Sequence, residues 1–482
     1  MHIGLILRVL AILLIIISFF MIFPVIFALY YHEEQMIPHF LLPMLMVLVI
    51  SLPIIFLTRK SVKTLSTRDG FLLVSLSWIF SALFGALPLY FSASIPHLTD
   101  AFFEIMSGFT TTGASILTNI EGLPKSMLFW RSLTHWLGGM GIVVLTIAVF
   151  PLLGVGAVGL MKAESPGPTL DKLTPKITET AKILWFIYLA FTVAQTLLLM
   201  IGRMSLFDAL THSFGTLATG GFSPKNSSVG YYKSTYVDIV ITVFMVLAGG
   251  NFVLYYRLIS GNVEKVFTNT ELKAYLGIFL AAMLIIAIGL YGKEYDTFRR
   301  SLRYAAFQAA SILTTTGYTT ADYASWPFFT QGVLFILMFI GGCSGSTGGG
   351  IKVIRIVTLF KQALNEMKFI SHPRGIFSIR LGGNIIKKDT VYTISGFFFL
   401  YLLMLIITTF VVASGGNDIL TAMSTALVTV GNIGPGFGKI GPTLNYAFYP
   451  GYIKWFLSFA MMVGRLEIYT VLVLFTSKFW RK

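Results

Sequence analysis

The sequence predicts an all-α polytopic membrane protein: four helix–re-entrant hairpin–helix repeats preceded by an N-terminal helix pair. Three observations predict it. The 482 residues are 56% hydrophobic and only 11% charged. Uncharged runs such as Leu10–Tyr30 and Thr390–Ser414 exceed the roughly 20 residues needed to span a bilayer. Finally, one short pattern returns four times. DAFFEIMSGFTTTG ends at Gly113, DALTHSFGTLATGG at Gly221, YAAFQAASILTTTG at Gly317 and DILTAMSTALVTVG at Gly431. Two residues before each glycine stands a threonine (Thr111, Thr219, Thr315, Thr429), and thirteen before stand Asp100, Asp208, Tyr304 and Asp418. The glycines lie 108, 96 and 114 residues apart, the near-constant period of a repeat architecture. Small residues are common in membrane helices because they pack closely, but that alone does not place four copies in one register.

The elements follow in order. Arg8 precedes an apolar run to Tyr30 that is too long for the core of a cleavable signal and lacks a small-x-small site, so it reads as a retained first span. It pairs with a helix near 38–58 to form the unit 1–68. The repeats are then assigned to 69–160, 161–260, 261–375 and 376–482. The first runs from about Phe71 to Phe150, and the others have helices near 181–201 and 235–258, 272–291 and 328–360, and 390–413 and 450–476. That gives ten expected spans, with both termini cytoplasmic.

Charge agrees with this topology. Of the 35 Lys and Arg, 23 fall on the inner side, 11 on the outer side, and Arg465 within a helix. The acidic residues divide 8 inside and 11 outside, with Glu467 in a helix. The inner side is therefore strongly positive, as the positive-inside bias requires. This accounts for the net charge of +15 without nucleic acid, while leaving the basic loops free to meet anionic lipid or an acidic partner. Two inner connectors are long: Pro151–Lys182, with AESPGPTLDKLTPK, and Lys361–Lys388, with His372-Pro373-Arg374-Gly375. Either is a solvated connector or a docking surface for a soluble subunit.

The hairpins carry the chemistry. Non-helical backbone at membrane depth survives only inside protein or beside a watery cavity. Each hairpin reads as a short helix followed by returning backbone, with the upstream aspartate suited to an N-cap. Four helix C-termini aimed at one axis would favour a cation. A terminal glycine lets the backbone turn its carbonyls inward, and rings of carbonyls are a known way to replace the hydration shell of potassium. No cluster of carboxylates stands in these stretches, so a monovalent ion fits better than calcium or magnesium. A metal-dependent intramembrane enzyme would want grouped His, Asp or Glu. The seven histidines are scattered, and the lone Cys343 excludes an internal disulfide and a cysteine zinc cluster. Neither an enzyme nor a bound cofactor is expected.

Two further features interrupt apolar segments. Between Phe339 and Ile351 runs IGGCSGSTGGG, too glycine-rich for a helix interior, where each glycine costs about 1 kcal/mol against alanine. It is either a cytoplasmic turn or a loop crossing the axis beneath the hairpins. The second choice is preferred because the matching helices of the other repeats read as unbroken. GSTGGGIK lacks the Gly-Lys-Ser/Thr ending of a phosphate loop, and GNIGPG at 431–436 has no βαβ context. Arg465 stands in FLSFAMMVGRLEIYTVLVLF. An arginine at a helix centre costs roughly 2.5–3.5 kcal/mol, so it should face a cavity or a partner. It is a gate element or half of a structural pair, with Glu467 a poor candidate at two residues' separation.

The four Thr-x-Gly hairpins, GGCSGSTGGGIKVIR (341–355) and VGRLEIYT (463–470) make the chain similar to the Trk/Ktr/HKT superfamily, and within it to the TrkH branch. The similarity extends over the whole chain, including the extra N-terminal pair. It implies a pseudo-fourfold potassium pore in a single chain, a homodimer, and regulation by a cytosolic nucleotide-binding ring of the TrkA type, in a bacterial inner membrane. The selectivity filter would be Thr110, Thr111, Thr112 and Gly113; Ala218, Thr219, Gly220 and Gly221; Thr314, Thr315, Thr316 and Gly317; and Val428, Thr429, Val430 and Gly431. Potassium would be held there as substrate. Glycine at all four ends matches potassium-selective members, although ATGG and VTVG depart from TTTG, so the filter is not fourfold exact. The gate would be Gly341, Gly342, Cys343, Ser344, Gly345, Ser346, Thr347, Gly348, Gly349 and Gly350 with Arg465. A sodium- or proton-coupled symporter is the alternative, with Glu467 as the one buried carboxylate that stands out.

Overall fold

The structure is a computed structural model that describes residues 1–60, 65–141, 177–382 and 384–481. It is helical almost throughout, with one two-stranded antiparallel hairpin, Arg380–Leu381 with Asn384–Ile385. Among the described residues six helical stretches are long and apolar enough to cross a membrane: Ile3–Tyr30, Glu34–Leu57, Thr67–Phe91, Glu179–Ile201, Thr270–Leu290 and Lys388–Ala413. The first two pack against each other, and each of the other four, termed outer helices, precedes one of the recurring Thr-x-Gly stretches. Their exposed faces carry residues such as Phe56, Ile201, Ile288 and Phe410, as befits walls turned to lipid.

After each outer helix a short helix enters the interior: Leu98–Phe109, Leu206–Leu217, Phe298–Leu313 and Ile419–Val430. Their amino ends are capped less uniformly than the sequence suggests. Asp418 is an N-cap and accepts from the Thr421 amide at 3.3 Å. Asp100 and Asp208 instead lie in the first turns, behind N-caps His97 and Ser205. Ser205 Oγ accepts from the Asp208 amide at 3.1 Å, and Asp100 receives the Lys454 ammonium at 2.7 Å. Tyr304 stands well inside its helix, which begins earlier, at Phe298.

The inner helices correct one expectation. The third repeat is not alone in being interrupted. Thr235–Ala248 and Phe252–Ile259 meet at 95°, and Gly451–Arg465 and Tyr469–Phe475 at 114°. The breaks fall at Gly249-Gly250-Asn251 and at Leu466-Glu467-Ile468, where Glu467 (φ 56°) and Ile468 (φ 51°) adopt left-handed backbone. In the first repeat Lys125–Gly139 ends at Met140, ahead of Gly141 at φ 73°. Its continuation to Phe150 and most of the connector Pro151–Lys182 lie outside the described residues. In the third, Phe328–Leu337 and Val353–Ser371 flank the glycine-rich segment. Paired glycines weaken a helix without betraying themselves in hydropathy, so apolar runs read as continuous spans.

The N-terminal pair is tied to this assembly by polar contacts. Glu33 accepts from the Lys125 and Ser126 amides at 2.7 and 2.9 Å, capping the first inner helix. Within the first repeat, Trp130 Nε1 donates to Gly85 O at 2.8 Å.

Candidate functional site

The four hairpin helices end alike. Thr112 N donates to Ser107 O, Gly220 N to Gly215 O, Thr316 N to Ser311 O and Ile433 N to Val428 O, at 2.8–2.9 Å. The residue before each donor has left-handed backbone: Thr111 (φ 53°), Thr219 (φ 54°), Thr315 (φ 60°) and Asn432 (φ 55°). These are Schellman endings, in which a left-handed residue lets the last carbonyls find donors. Three of the four place a β-branched threonine where glycine is usual, a conformation that costs on the order of 1–2 kcal/mol and persists only where its surroundings enforce it.

This geometry revises the fourth hairpin. Val428, Thr429 and Val430 belong to the helix Ile419–Val430, and Gly431 is its C-cap with φ −78°. The stretch equivalent to Thr110–Gly113, Ala218–Gly221 and Thr314–Gly317 is Gly431-Asn432-Ile433-Gly434, and Gly434 (φ 93°) is the counterpart of Gly113 (φ 80°), Gly221 (φ 78°) and Gly317 (φ 81°). The threonine two residues before Gly431 masks a register three residues later, where asparagine, tolerant of left-handed backbone, replaces threonine. The same shift of three makes Asp418 an N-cap while Asp100 and Asp208 sit inside their helices.

In that register the four segments close on one another. A β-carbon on Gly113 would stand 2.1 Å from Gly220 O, on Gly221 2.1 Å from Thr316 O, and on Gly317 2.1 Å from Ile433 O. On Gly434 it would stand 2.6 Å from Thr112 O. Each glycine abuts the carbonyl before the next segment's glycine, and the fourth abuts the first. No side chain fits at any of the four positions. Thr110 through Thr112, Thr314 through Thr316 and Asn432 are all buried. The four helix C-termini, each with about half a negative charge, converge on this ring.

Behind the ring the segments are braced by buried polar groups that sequence reasoning missed. Glu104 accepts from Ser115 Oγ and the Ile116 amide, both at 2.9 Å, and from Arg131 Nε at 2.5 Å. Arg131 NH1 donates to Ser223 O at 3.0 Å, on the second segment. Tyr318 OH donates to His212 O and Phe222 O, and Tyr446 OH to Gly434 O at 2.6 Å. Glu104 sits on the hairpin helix four residues beyond Asp100, so its charge in an apolar helix was the available signal.

The glycine-rich segment 341–350 lies against the helix ends. Thr347 Oγ1 donates to Leu217 O at 2.8 Å, and the Gly349 amide to Thr315 Oγ1 at 2.7 Å. A β-carbon on Gly349 would be 2.5 Å from Gly431 O. The loop thus touches the ends of the second, third and fourth hairpin helices. Its two ends are clipped together by Lys352 N to Ile340 O and Val353 N to Gly342 O, and Glu271 accepts from the Ser344 amide at 2.6 Å. Cys343 N donates to Gly249 O at 2.8 Å, and Ser346 Oγ to Cys343 O at 2.6 Å. The Lys352 ammonium folds back onto Gly348 O.

Arg465, at the end of the last inner helix, reaches this loop. Its guanidinium donates to Thr347 O at 2.6 Å and to Gly138 O and Gly139 O at 2.8 and 2.9 Å. Gly138 packs against Phe109 O, the end of the first hairpin helix, so the loop and Arg465 together reach all four. Glu467 turns the other way and pairs with Arg355, whose guanidinium lies 4.0 Å over the Phe397 ring. Among the described residues no three His, Cys, Asp or Glu side chains gather to hold a metal ion.

Comparison with known proteins gives the chain a family and a fold. A sequence profile of the TrkH family, cation transport proteins, matches residues 36–284 and 294–482. The chain is 42% identical to the Trk system potassium uptake protein TrkH of Salmonella typhimurium over the full length of both. It is 41% identical to the Escherichia coli protein of that name, again over both full lengths. The crystal structure of the potassium transporter TrkH from Vibrio parahaemolyticus superposes with a TM-score of 0.89 at 37% identity, covering all of both chains.

Proposed function

Since the chain belongs to the TrkH family of cation transport proteins, we propose that it takes up potassium through the ring of backbone carbonyls between its four hairpins. It is a transporter and not an enzyme. The observation that carries the finer reading is the closed order of contacts Gly113–Gly220, Gly221–Thr316, Gly317–Ile433 and Gly434–Thr112. Carbonyl dipoles at the C-terminal ends of four helices offer a dehydrated cation partial negative charge from all sides without a fixed carboxylate, which suits a monovalent ion. The filter in this proposal comprises Thr110–Gly113, Ala218–Gly221, Thr314–Gly317 and Gly431–Gly434.

Below it, the loop 341–350 and Arg465 form the gate. A guanidinium beside the ring repels a cation, and its hydrogen bonds hold the loop across the exit. Opening requires the loop to leave Leu217, Thr315 and Arg465. A cytosolic nucleotide-binding subunit of the TrkA type, docking on the basic connectors 162–182 and 352–388, drives that motion, and the chain works as a homodimer in a bacterial inner membrane. Coupling to sodium or protons gains no support from Glu467, because that carboxylate is engaged by Arg355.

The test is ion flux in liposomes containing the purified chain under imposed potassium, sodium and pH gradients. Potassium flux driven by its own gradient, exceeding sodium flux and unaffected by a pH gradient, supports the proposal. Flux that requires a sodium or proton gradient replaces it with the coupled alternative.

A further inference from the structure

Below the gate, the helix Val353–Ser371 and the chain that follows it enclose a cavity of about 650 Å3 with the first turn of the helix Lys388–Ala413. Apolar Phe369, Ile376, Phe377, Ile379, Ile386 and Val391 line it together with polar Gln362, Asn365, Glu366 and Ser378. At its rim stand Lys387, Lys388 and Tyr392. The strand pair Arg380–Leu381 and Asn384–Ile385 adjoins it through Ile385 and is held in place, since Lys361 Nζ donates to Arg380 O at 2.8 Å and the Gly382 amide to Thr270 Oγ1 at 2.9 Å. Ile376 is 98% exposed and Tyr392 72% exposed, so apolar surface continues out of the cavity.

Position and charge identify the occupant. Lys388–Ala413 is 26 residues long and apolar enough to cross a membrane, so its first turn, and with it the cavity mouth, stands at headgroup level. Tyrosine is enriched at that depth, and basic side chains there meet anionic lipid. Residues 361–389 carry six Lys or Arg against two acids, Glu366 and Asp389, so the net charge around the cavity is positive although Glu366 is among its lining residues. A chamber with an apolar side of Phe369, Ile376 and Val391 and a lysine pair at a membrane surface is complementary to an amphiphile with a phosphate between its head and its chains.

We propose that this cavity binds one anionic phospholipid, its phosphate on Lys387 and Lys388 and its first acyl carbons against Phe369, Ile376 and Val391. The site is separate from the carbonyl ring and needs only that Lys388–Ala413 spans the membrane, so it can fail or stand independently of the ring and gate. It shares Lys387 and Lys388 with the connector proposed to dock the regulatory subunit, so lipid retention is read without that subunit. A bound lipid would join the helix that leaves the gate loop to the outer helix of the fourth repeat.

The test is native mass spectrometry of the full chain, purified in mild detergent and supplied with phosphatidylglycerol or phosphatidylcholine of equal chain length. The proposal expects phosphatidylglycerol to be retained at least several-fold better. Lys387→Gln with Lys388→Gln should cut that retention by about thirtyfold, since each lysine near a lipid surface contributes about 1 kcal/mol. Ile376→Asp should weaken retention of both lipids. Both variants alter exposed side chains, and unchanged elution on gel filtration confirms the fold. Equal retention of the two lipids, or retention indifferent to the lysine pair, overturns the proposal. So does displacement of the lipid by millimolar inorganic phosphate, which would mark a free-anion site. Loss of dimer or of regulatory-subunit binding in the lysine variant, with lipid retention intact, would assign the surface to a protein instead.

Discussion

Arg465 donates a hydrogen bond of 2.6 Å to the carbonyl oxygen of Thr347, 118 residues earlier in the chain. One end of that contact belongs to the glycine-rich loop of the third repeat and the other to the last inner helix. The same guanidinium holds Gly138 O and Gly139 O of the first repeat. A side chain that would be costly on an isolated membrane helix is thus satisfied by carbonyls that broken helices leave free.

Replacing Arg465 should therefore open the exit. A charge-assisted hydrogen bond contributes about 1.5–3 kcal/mol, so losing the bond to Thr347 shifts a closed–open balance by about tenfold or more. Arg465→Ala should raise potassium flux by about that factor in liposomes lacking any regulatory subunit. Deleting part of Gly345–Gly349 should act in the same direction, with the double variant falling short of the combined effect because the two changes act on one contact. Folded Arg465→Ala protein with flux at or below wild type would contradict the gate.

The fourth hairpin offers a separate check on register. Gly434 has φ 93° and faces Thr112 O of the neighbouring segment, whereas Gly431 has φ −78°, within the range of any residue, and a β-carbon there would meet its own helix, 2.7 Å from Leu427 O, and Ile433. Gly434→Ala should abolish preference for potassium over sodium, and Gly431→Ala should retain most of it. Competitive rubidium and sodium uptake reads the difference. The opposite ranking would restore the register ending at Gly431.

How much of this was legible in the sequence can be judged at the same place. The hairpins, the outer helices and the unusual loop announce themselves through hydropathy and composition, because each reflects burial in lipid or the failure of glycine to support a helix. The fourth register does not. Thr429 and Gly431 imitate the repeat, while the decisive property, left-handed backbone at Asn432, is conformational and leaves no trace in residue type beyond the asparagine itself. The breaks at Gly249 and Glu467 were hidden in apolar runs for a similar reason. The sequence paired Arg465 with the loop 341–350, but its partners are backbone carbonyls, which every residue carries, so no pattern could single out Thr347 within that loop.

The Glu104–Arg131 pair should prove costly to break. Both side chains are at most 2% exposed, and removing one partner of a buried pair costs roughly 3–5 kcal/mol by stranding the other charge. Arg131→Met should lower the thermal midpoint of the purified protein markedly, and Arg131→Met with Glu104→Leu should recover part of the loss. Fluorescence-detected gel filtration after heating measures both. A single variant as stable as wild type would show that the pair does not brace the hairpins.

The central claim is that four glycines shape one ring of carbonyls. Its most direct measurement is the potassium-to-sodium permeability ratio, in liposomes, of the wild type and of serine variants at Gly113, Gly221, Gly317 and Gly434. Every serine would force a side chain to within 2.1–2.6 Å of a neighbouring carbonyl, so each variant that remains folded should lose most of the preference for potassium. Wild-type ratios in all four folded variants would remove the ring from the permeation path.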